Sequence, residues 1–556
     1  MFQFRFKGAP DATARFKTLI ERHAAWLSMR VTSVPSHPDW LALRLLPSNG
    51  NDAATACGKI RFDCDDAGEL TVTVPAVTPE QAYVVDNADG VAIGDDLRPL
   101  WLWAGGTWDR EGPALQLLFG MVPTPLTIAK DVRRIGSGYR YRHRESGRLE
   151  RHAATVEERR RPIADDQVDA LTESRLDETL AATPQQAVVF FSGGTDSTWL
   201  AARLAAAGRH DIQLVNYAFG DRDDESAYAE KIAGQLGLRF ERVQHRDDAW
   251  QPVCDQFALN NPFPYDDLST IPTQAMISAS AEPLQQGSAA LLGVGADDLY
   301  DGGLKIRDWE GLAAKPRWAR RFGVSALGLL SPWLRNDRWR RVWGITRRSL
   351  LTARAYGGAI MHNDLFDLVY RHDDLGALAM RCWDEAYEPF IVGSAAEDRM
   401  AWIYLQNGGM GWEAPKFESL RRLGVTAHFP FLDGAMLDHG LSLSWQQKCA
   451  GQKDKVLLKR LLDRALPQAA ERRPKVGFSP PFDQMLADDL FQQRIRAALL
   501  DDDAPLAGLY DADRIAQLLD RGARGDKPTR GTINLLWTAF VWALWAQQVR
   551  VGLEAG

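Results

Sequence analysis

Five cysteines in 556 residues (Cys57, Cys64, Cys254, Cys382 and Cys449) are too few and too scattered for a disulfide framework, and none forms a CxxC pair of the redox or zinc type. A reducing compartment, the cytoplasm, is the expected setting. The amino terminus has no apolar core followed by a small-residue cleavage site, so secretion is not indicated. Long hydrophobic runs are missing as well. The nearest, Ile533 to Val549, is interrupted by Asn534, Thr538, Gln547 and Gln548; it reads as a buried C-terminal helix, and no transmembrane segment is expected. Nor is there an excess of positive charge: 66 Lys and Arg against 73 Asp and Glu leave a net charge of −7, which argues against nucleic acid as a partner except through a local patch. What is present is an ordinary globular composition, 45% apolar and 25% charged, with length for two or three domains of roughly 100–250 residues each.

Two patterns divide the chain. Up to about residue 160, short apolar runs such as Leu70–Val77, Gln81–Val85 and Val91–Ile93 alternate with Gly, Pro, Asp and Asn, the pattern of a β-rich domain. The polar stretch from Arg148 to Asp166 reads as a linker. From Gln185 the order becomes apolar strand, turn, helix: Ala187–Phe191, Ser197–Ala207, Ile212–Phe219, Glu225–Leu236 and Leu238–Val243. That alternation predicts βαβ units and a parallel sheet. A helix over Thr270–Gln285 and an apolar run at Ala289–Gly293 follow, and beyond about 310 the pattern is mostly helical. The expected domains are 1–160 and 161–556.

The chemistry concentrates where the buried strand Ala187–Phe191 runs into Ser192-Gly193-Gly194-Thr195-Asp196-Ser197 and a helix. Consecutive glycines let the backbone approach a phosphate, the helix N-terminus supplies N–H donors and partial positive charge, and the serines add hydroxyls. Asp196 would repel phosphate unless a cation lay between, which implies Mg2+. GxxxxGK[ST] is absent, so γ-phosphoryl transfer is not indicated. The loop resembles the pyrophosphatase loop of enzymes that adenylate a carboxylate or carbonyl with ATP.

With that loop, the chain resembles the asparagine synthetase family over both halves. Leu214–Gly220 and Asp224–Leu236 match its second strand and following helix, and Gly293–Gly303 (GVGADDLYDGG) matches its GEGxDExxGG segment. Pro430–Asp433, Lys455 in DKVLLKRL and Lys475 in RPKVGFSPP match later landmarks. The resemblance implies an α/β protein: a degenerate, β-rich Ntn-hydrolase (glutaminase-like) domain, then a parallel-sheet ATP-pyrophosphatase domain of the adenine nucleotide α-hydrolase type with a helical extension. It implies ATP and Mg2+ as cofactors. Phe190, Ser192, Gly193, Gly194, Asp196, Ser197, Phe219, Leu292 and Gly293 would then surround the nucleotide, Asp196 and Asp297 would hold the metal, and Asp297, Lys455 and Lys475 would serve catalysis.

Two departures narrow the expectation. Glutamine hydrolysis in the family needs a cysteine at position 2, and here that residue is Phe2. The glutamate of GEGxDE, which is a tyrosine in β-lactam-forming relatives, is Val294. Valine can neither take a proton nor orient an amine. An intact loop beside these losses looks like the lasso peptide macrolactam synthetases, which adenylate an Asp or Glu side chain of a precursor core peptide and close a ring with its N-terminal amine. A leader-binding or leader-cleaving partner protein would be expected. The alternatives are a β-lactam- or asparagine-forming enzyme and, in another class, a tRNA-modifying ATP pyrophosphatase. Glu388, Glu397, Asp398, Glu413 and Glu418 are further candidates for a base. The basic, tryptophan-rich segment from Lys315 to Arg348 is expected to be amphipathic helix with its tryptophans packed inward, or else a surface for single-stranded nucleic acid, anionic membrane or an acidic or aromatic peptide.

Overall fold

The computed structural model describes residues 2–47, 59–119, 122–144, 147–218, 224–246, 248–280, 289–300, 314–330, 396–408, 413–449, 455–467, 482–501, 504–506, 510–528 and 530–554, together with isolated positions from 282 to 393. Fifteen strands among these residues form three sheets. In the first third of the chain, β1 (Phe2–Gly8), β2 (Met29–Ser33), β3 (Leu41–Pro47), β4 (Arg61–Cys64), β5 (Leu70–Thr73), β6 (Ala82–Asn87), β7 (Gly90–Gly94), β8 (Arg133–Ile135), β9 (Tyr139–Arg142) and β10 (Arg148–Arg151) make two antiparallel sheets. Their orders are β2-β3-β1-β7-β6-β8 and β10-β9-β5-β4. Strand β1 alternates Phe2, Phe4 and Phe6 with Gln3 and Arg5, and all five are buried. Arg5 reaches the Phe62 ring on β4 at 5.2 Å, which ties the two sheets together.

The second part carries β11 (Val188–Phe190), β12 (Gln213–Ala218), β13 (Arg239–Gln244), β14 (Ala289–Leu291) and β15 (Thr426–His428), all parallel, in the order β13-β12-β11-β14-β15. The apolar content of Val188–Phe190 and Ala289–Leu291 follows from this arrangement, since central parallel strands are covered on both faces. One face packs against the helix Thr195–Ala206, and the other carries a cluster of Val188, Val215, Tyr217, Leu292 and residues of the helix Thr270–Ala279.

Three local readings change. A helix, Pro10–Trp26, lies within the strand-rich part, started by proline at its first turn and seated by the stacked rings of Phe6 and Phe16, 4.7 Å apart. The stretch read as a linker contains β10 and a short helix, Val156–Arg159, whose Thr155 and Glu158 form a reciprocal capping box. β15 is a strand of three residues inside a helical region, too short for a period-2 signal. The middle of the final helix, Arg530–Glu554, is buried through Trp537, Phe540, Trp542 and Trp545, and residues 535–546 are apolar nearly all round because they lie in the interior. No helix among the described residues is long and apolar enough to cross a membrane.

Candidate active site

The loop after β11 has the strand–loop–helix form that its glycines suggested. Gly193 has φ +71°, and a Cβ there would meet the Ala229 Cα at 3.2 Å, so both the backbone conformation and the neighbouring helix Asp224–Leu236 call for glycine. Gly194 caps the helix Thr195–Ala206 without a side chain, which leaves the helix N-terminus open to an anion. Ser192 and Ser197 face each other across the loop: their Oγ atoms are 3.3 Å apart, and the Gly194 N–H donates to Ser192 Oγ at 3.2 Å. Behind the loop, Asn216 Nδ2 donates to the Phe191 carbonyl at 2.8 Å, and Ser226 Oγ donates in turn to Asn216 Oδ1. This brace gave no sequence signal, because a single asparagine inside a strand carries none.

The turn after β14 closes over the first loop. A Cβ on Gly293 would stand 3.3 Å from Asp196 Cβ and 3.6 Å from the Ser197 nitrogen. Gly295, at φ +89°, is covered by Leu432 of the Pro430–Asp433 turn. The short helix Ala296–Tyr300 then presents Asp297 on the same side as Asp196.

Lys455 joins the two carboxylates. Its Nζ lies 2.5 Å from Asp196 Oδ2 and 2.5 Å from Asp297 Oδ1, so the two oxygens are no farther apart than the sum of those contacts. The residue sits at φ +48° just before the helix Val456–Ala465, whose buried Leu457, Leu458, Leu461 and Leu462 pack against the loop helix and fix the lysine above it. Burial works against the charged ammonium, but the two carboxylates outweigh it and hold the pKa above the ordinary lysine range. Asp297 is the open member, its side chain 56% exposed against 20% for Asp196.

Phe190, Leu292 and Val294 share one face of the parallel sheet with Tyr217, Ala427 and Phe429. That face of the site is thus apolar at Val294. Of the acidic residues named as candidate bases, Asp398 is buried with Arg160 and 3.6 Å from Lys448 Nζ, Glu413 pairs with Lys416 at 2.8 Å, and Glu418 pairs with Arg421 at 2.6 Å. Those three are committed to ion pairs; Glu388 is half-buried. Phe219, Lys475 and the Glu397 side chain lie outside the described residues, as do Trp333, Trp339 and Trp343 of the basic segment. Within that segment the helix Arg317–Leu330 is present, but Trp318 is 74% exposed and Phe322 73%, not packed inward: one turn apart, they form an aromatic ridge between arginines.

Two carboxylates that converge on one cation fit the requirements of Mg2+ bound mainly through nucleotide phosphates, which takes one or two protein carboxylates. Among the described residues no group of three or more His, Cys, Asp or Glu could hold a metal ion by itself.

A glycine-rich loop between a parallel strand and a helix, with carboxylates from two adjacent strand ends, defines the class of ATP-dependent amide-forming ligases once the sequence comparisons are added. The Asparagine synthase family model matches residues 167–547, and the chain belongs to that family. Proteins of Mycobacterium bovis and Mycobacterium tuberculosis that carry the assigned name asparagine synthetase (glutamine-hydrolyzing) are 24% identical over 496 residues, 83% of this chain and 72% of theirs. An NH3-dependent NAD synthetase from Campylobacter jejuni matches in structure over 25% of this chain and 61% of its own, at 15% identity and a TM-score of 0.19, too low to bear on the argument.

Proposed function

We propose that this protein adenylates an Asp or Glu side chain of a peptide and joins it to that peptide's own N-terminal amine, closing a macrolactam as lasso peptide cyclases do. The observation that carries the reading is the meeting of Asp196, Asp297 and Lys455 over the Ser192–Ser197 loop, beside an apolar wall at Val294.

In the first half-reaction a carboxylate oxygen attacks the α-phosphorus of ATP, the bond to the bridging oxygen breaks, and pyrophosphate leaves. In the second the neutral amine attacks the acyl carbon, the bond to the adenylate oxygen breaks, AMP departs, and the proton lost by the nitrogen passes to water. The loop N–H groups and serine hydroxyls hold the phosphates, Mg2+ on Asp196 and Asp297 would neutralise pyrophosphate charge, and Lys455 supplies fixed positive charge beside it. Lys475 is assigned to the charge on the adenylate. Phe190, Phe219, Leu292 and Gly293 are assigned to the nucleotide. A peptide α-amino group, with a pKa near ~8, is partly neutral at cellular pH and needs little help from a base, in keeping with Val294. Residues 1–160 are read as a glutaminase-like domain that lost its nucleophile at Phe2, and 161–556 as the synthetase. A precursor peptide and a leader-binding or leader-cleaving protein are the partners this reading requires.

Mass spectrometry of Mg-ATP reactions with candidate core peptides tests it. Loss of one water from the peptide, with release of AMP and pyrophosphate, is expected; rapid asparagine formation from aspartate and glutamine or ammonia would overturn it.

A further inference from the structure

The amino-terminal strand ends beneath an arginine from the other half of the molecule. The Arg421 guanidinium carbon stands 4.0 Å from the centroid of the Phe2 ring, and that of Arg98 stands 5.2 Å away. Arg421 Nη1 donates to Asp95 Oδ2 at 3.4 Å and its Nε to Glu418 Oε2 at 2.8 Å, while Asp95 Oδ1 accepts the Gln3 N–H at 2.7 Å. Below them Arg98 is fully buried, pairs with Asp96 at 2.5 Å and donates to the Ala258 and Leu259 carbonyls at 2.6 and 3.0 Å. Where the family keeps a nucleophile, this chain has a ring whose face binds a cation.

Arg421 is well placed to transmit that contact. It lies in the last turn of the helix Ala414–Arg422, which Gly424, at φ +74°, turns into β15. β15 is an edge strand of three residues, and so short a strand depends on its flanking packing for register. It pairs with β14 from Ala289↔Thr426 to Leu291↔His428, and the His428 carbonyl accepts the Leu292 N–H at 3.0 Å. Beyond it, Leu432 covers Gly295, and Phe431 lies with its ring centroid 6.0 Å from those of Tyr300 and Trp199. A continuous set of packed contacts thus runs from Phe2 to the turn that presents Asp297.

We propose that Phe2 and Arg421 are positioning residues for Asp297: the former nucleophile position has become a clamp that fixes the helix Ala414–Arg422, and through β15 the carboxylate of the ATP site. This rests on the reading of Asp297 given above. The test compares full-length Phe2→Ala, Phe2→Tyr and Arg421→Lys with the unaltered protein by amide hydrogen exchange and by ATP–pyrophosphate exchange. Phe2→Ala and Arg421→Lys are expected to speed amide exchange in residues 289–300 and 426–432. They are also expected to raise the KM for ATP about three- to tenfold with kcat changed less than about twofold, the size of effect that remote packing residues exert. Phe2→Tyr, which keeps the ring, restores both. A folded Phe2→Ala protein whose exchange is unaltered in those two segments, or altered only in the first sheet, overturns the proposal. Amide exchange needs no turnover, so absence of ATP–pyrophosphate exchange in the unaltered protein counts against the adenylation reading while the clamp is still decided.

Discussion

Lys455 shows how much a single position can hold. It combines left-handed backbone, burial and two carboxylate contacts, an arrangement that costs about 1–3 kcal/mol in backbone strain and persists because the surroundings enforce it. Removal of its charge leaves Asp196 and Asp297 to repel each other and, on the proposed function, the nucleotide as well. Lys455→Met is therefore expected to lower kcat in ATP–pyrophosphate exchange by ~10²–10³-fold, the usual effect of deleting one fixed charge or donor from a reacting centre. Arg at this position is not a conservative replacement, since a planar fork cannot take the place of a compact ammonium between two carboxylates. A Lys455→Met protein with near-normal exchange would remove the lysine from the mechanism.

Among the elements, the turn between β14 and the helix Ala296–Tyr300 is the most tightly constrained part of the site. A methyl group on Gly295 would stand 2.2 Å from Leu432 Cδ2 and would force a side chain into a left-handed backbone. Gly295→Ala is expected to destabilise the protein by ~1–3 kcal/mol. It should also move Asp297, raising the Mg2+ concentration needed for half-maximal activity; thermal unfolding and a magnesium titration check the two effects separately. Gly193 is under a similar constraint from Ala229. The consecutive glycines at 193 and 194 mark a tight turn between strand and helix in the local sequence, whereas the demand at 295 comes from Leu432, 137 positions away, and could not be read from local sequence.

At the scale of the whole molecule, the two halves share a buried charged interface. Asp95, Asp96, Glu80 and Glu418 face Arg98, Arg421 and His23, with Tyr83 and Tyr265 nearby. Desolvation raises Glu418 to about 7 and Asp95 to about 6 despite Arg421, while the Arg98 charge, with the hydrogen bond from His23, overcomes burial to hold Asp96 below the usual carboxylate range; burial lowers the pKa of His23 itself. Groups raised in the folded state contribute stability that is full below the unfolded pKa of ~4 and is lost as pH rises through 6 to 7; Asp96 contributes in the opposite sense, losing its stabilisation as pH falls below ~4. Glu418→Gln should therefore shift the melting temperature more favourably at pH 8 than at pH 5, and an equal shift at both would show that Glu418 does not titrate in this window. The helix Arg530–Glu554 also packs against the first part of the chain. Gly552 lies against the Trp26 ring, and Trp108 stacks on Trp542 at 5.8 Å, with Trp101 5.3 Å from Trp545. Trp545→Ala is expected to cost ~3–5 kcal/mol and to loosen both halves together, measured by denaturant unfolding.

The sequence determined the glycine loop between a buried strand and a helix and the parallel order of strand and helix, because each is a matter of residue type at adjacent positions. Only the tertiary structure decided that Lys455 bridges Asp196 and Asp297, that Asp398, Glu413 and Glu418 are held in ion pairs, that Trp318 is exposed, and that Phe2 carries Arg421. The physical reason is the same throughout: charge pairing and burial are fixed by which distant segments meet, and a local pattern of residues does not record that meeting.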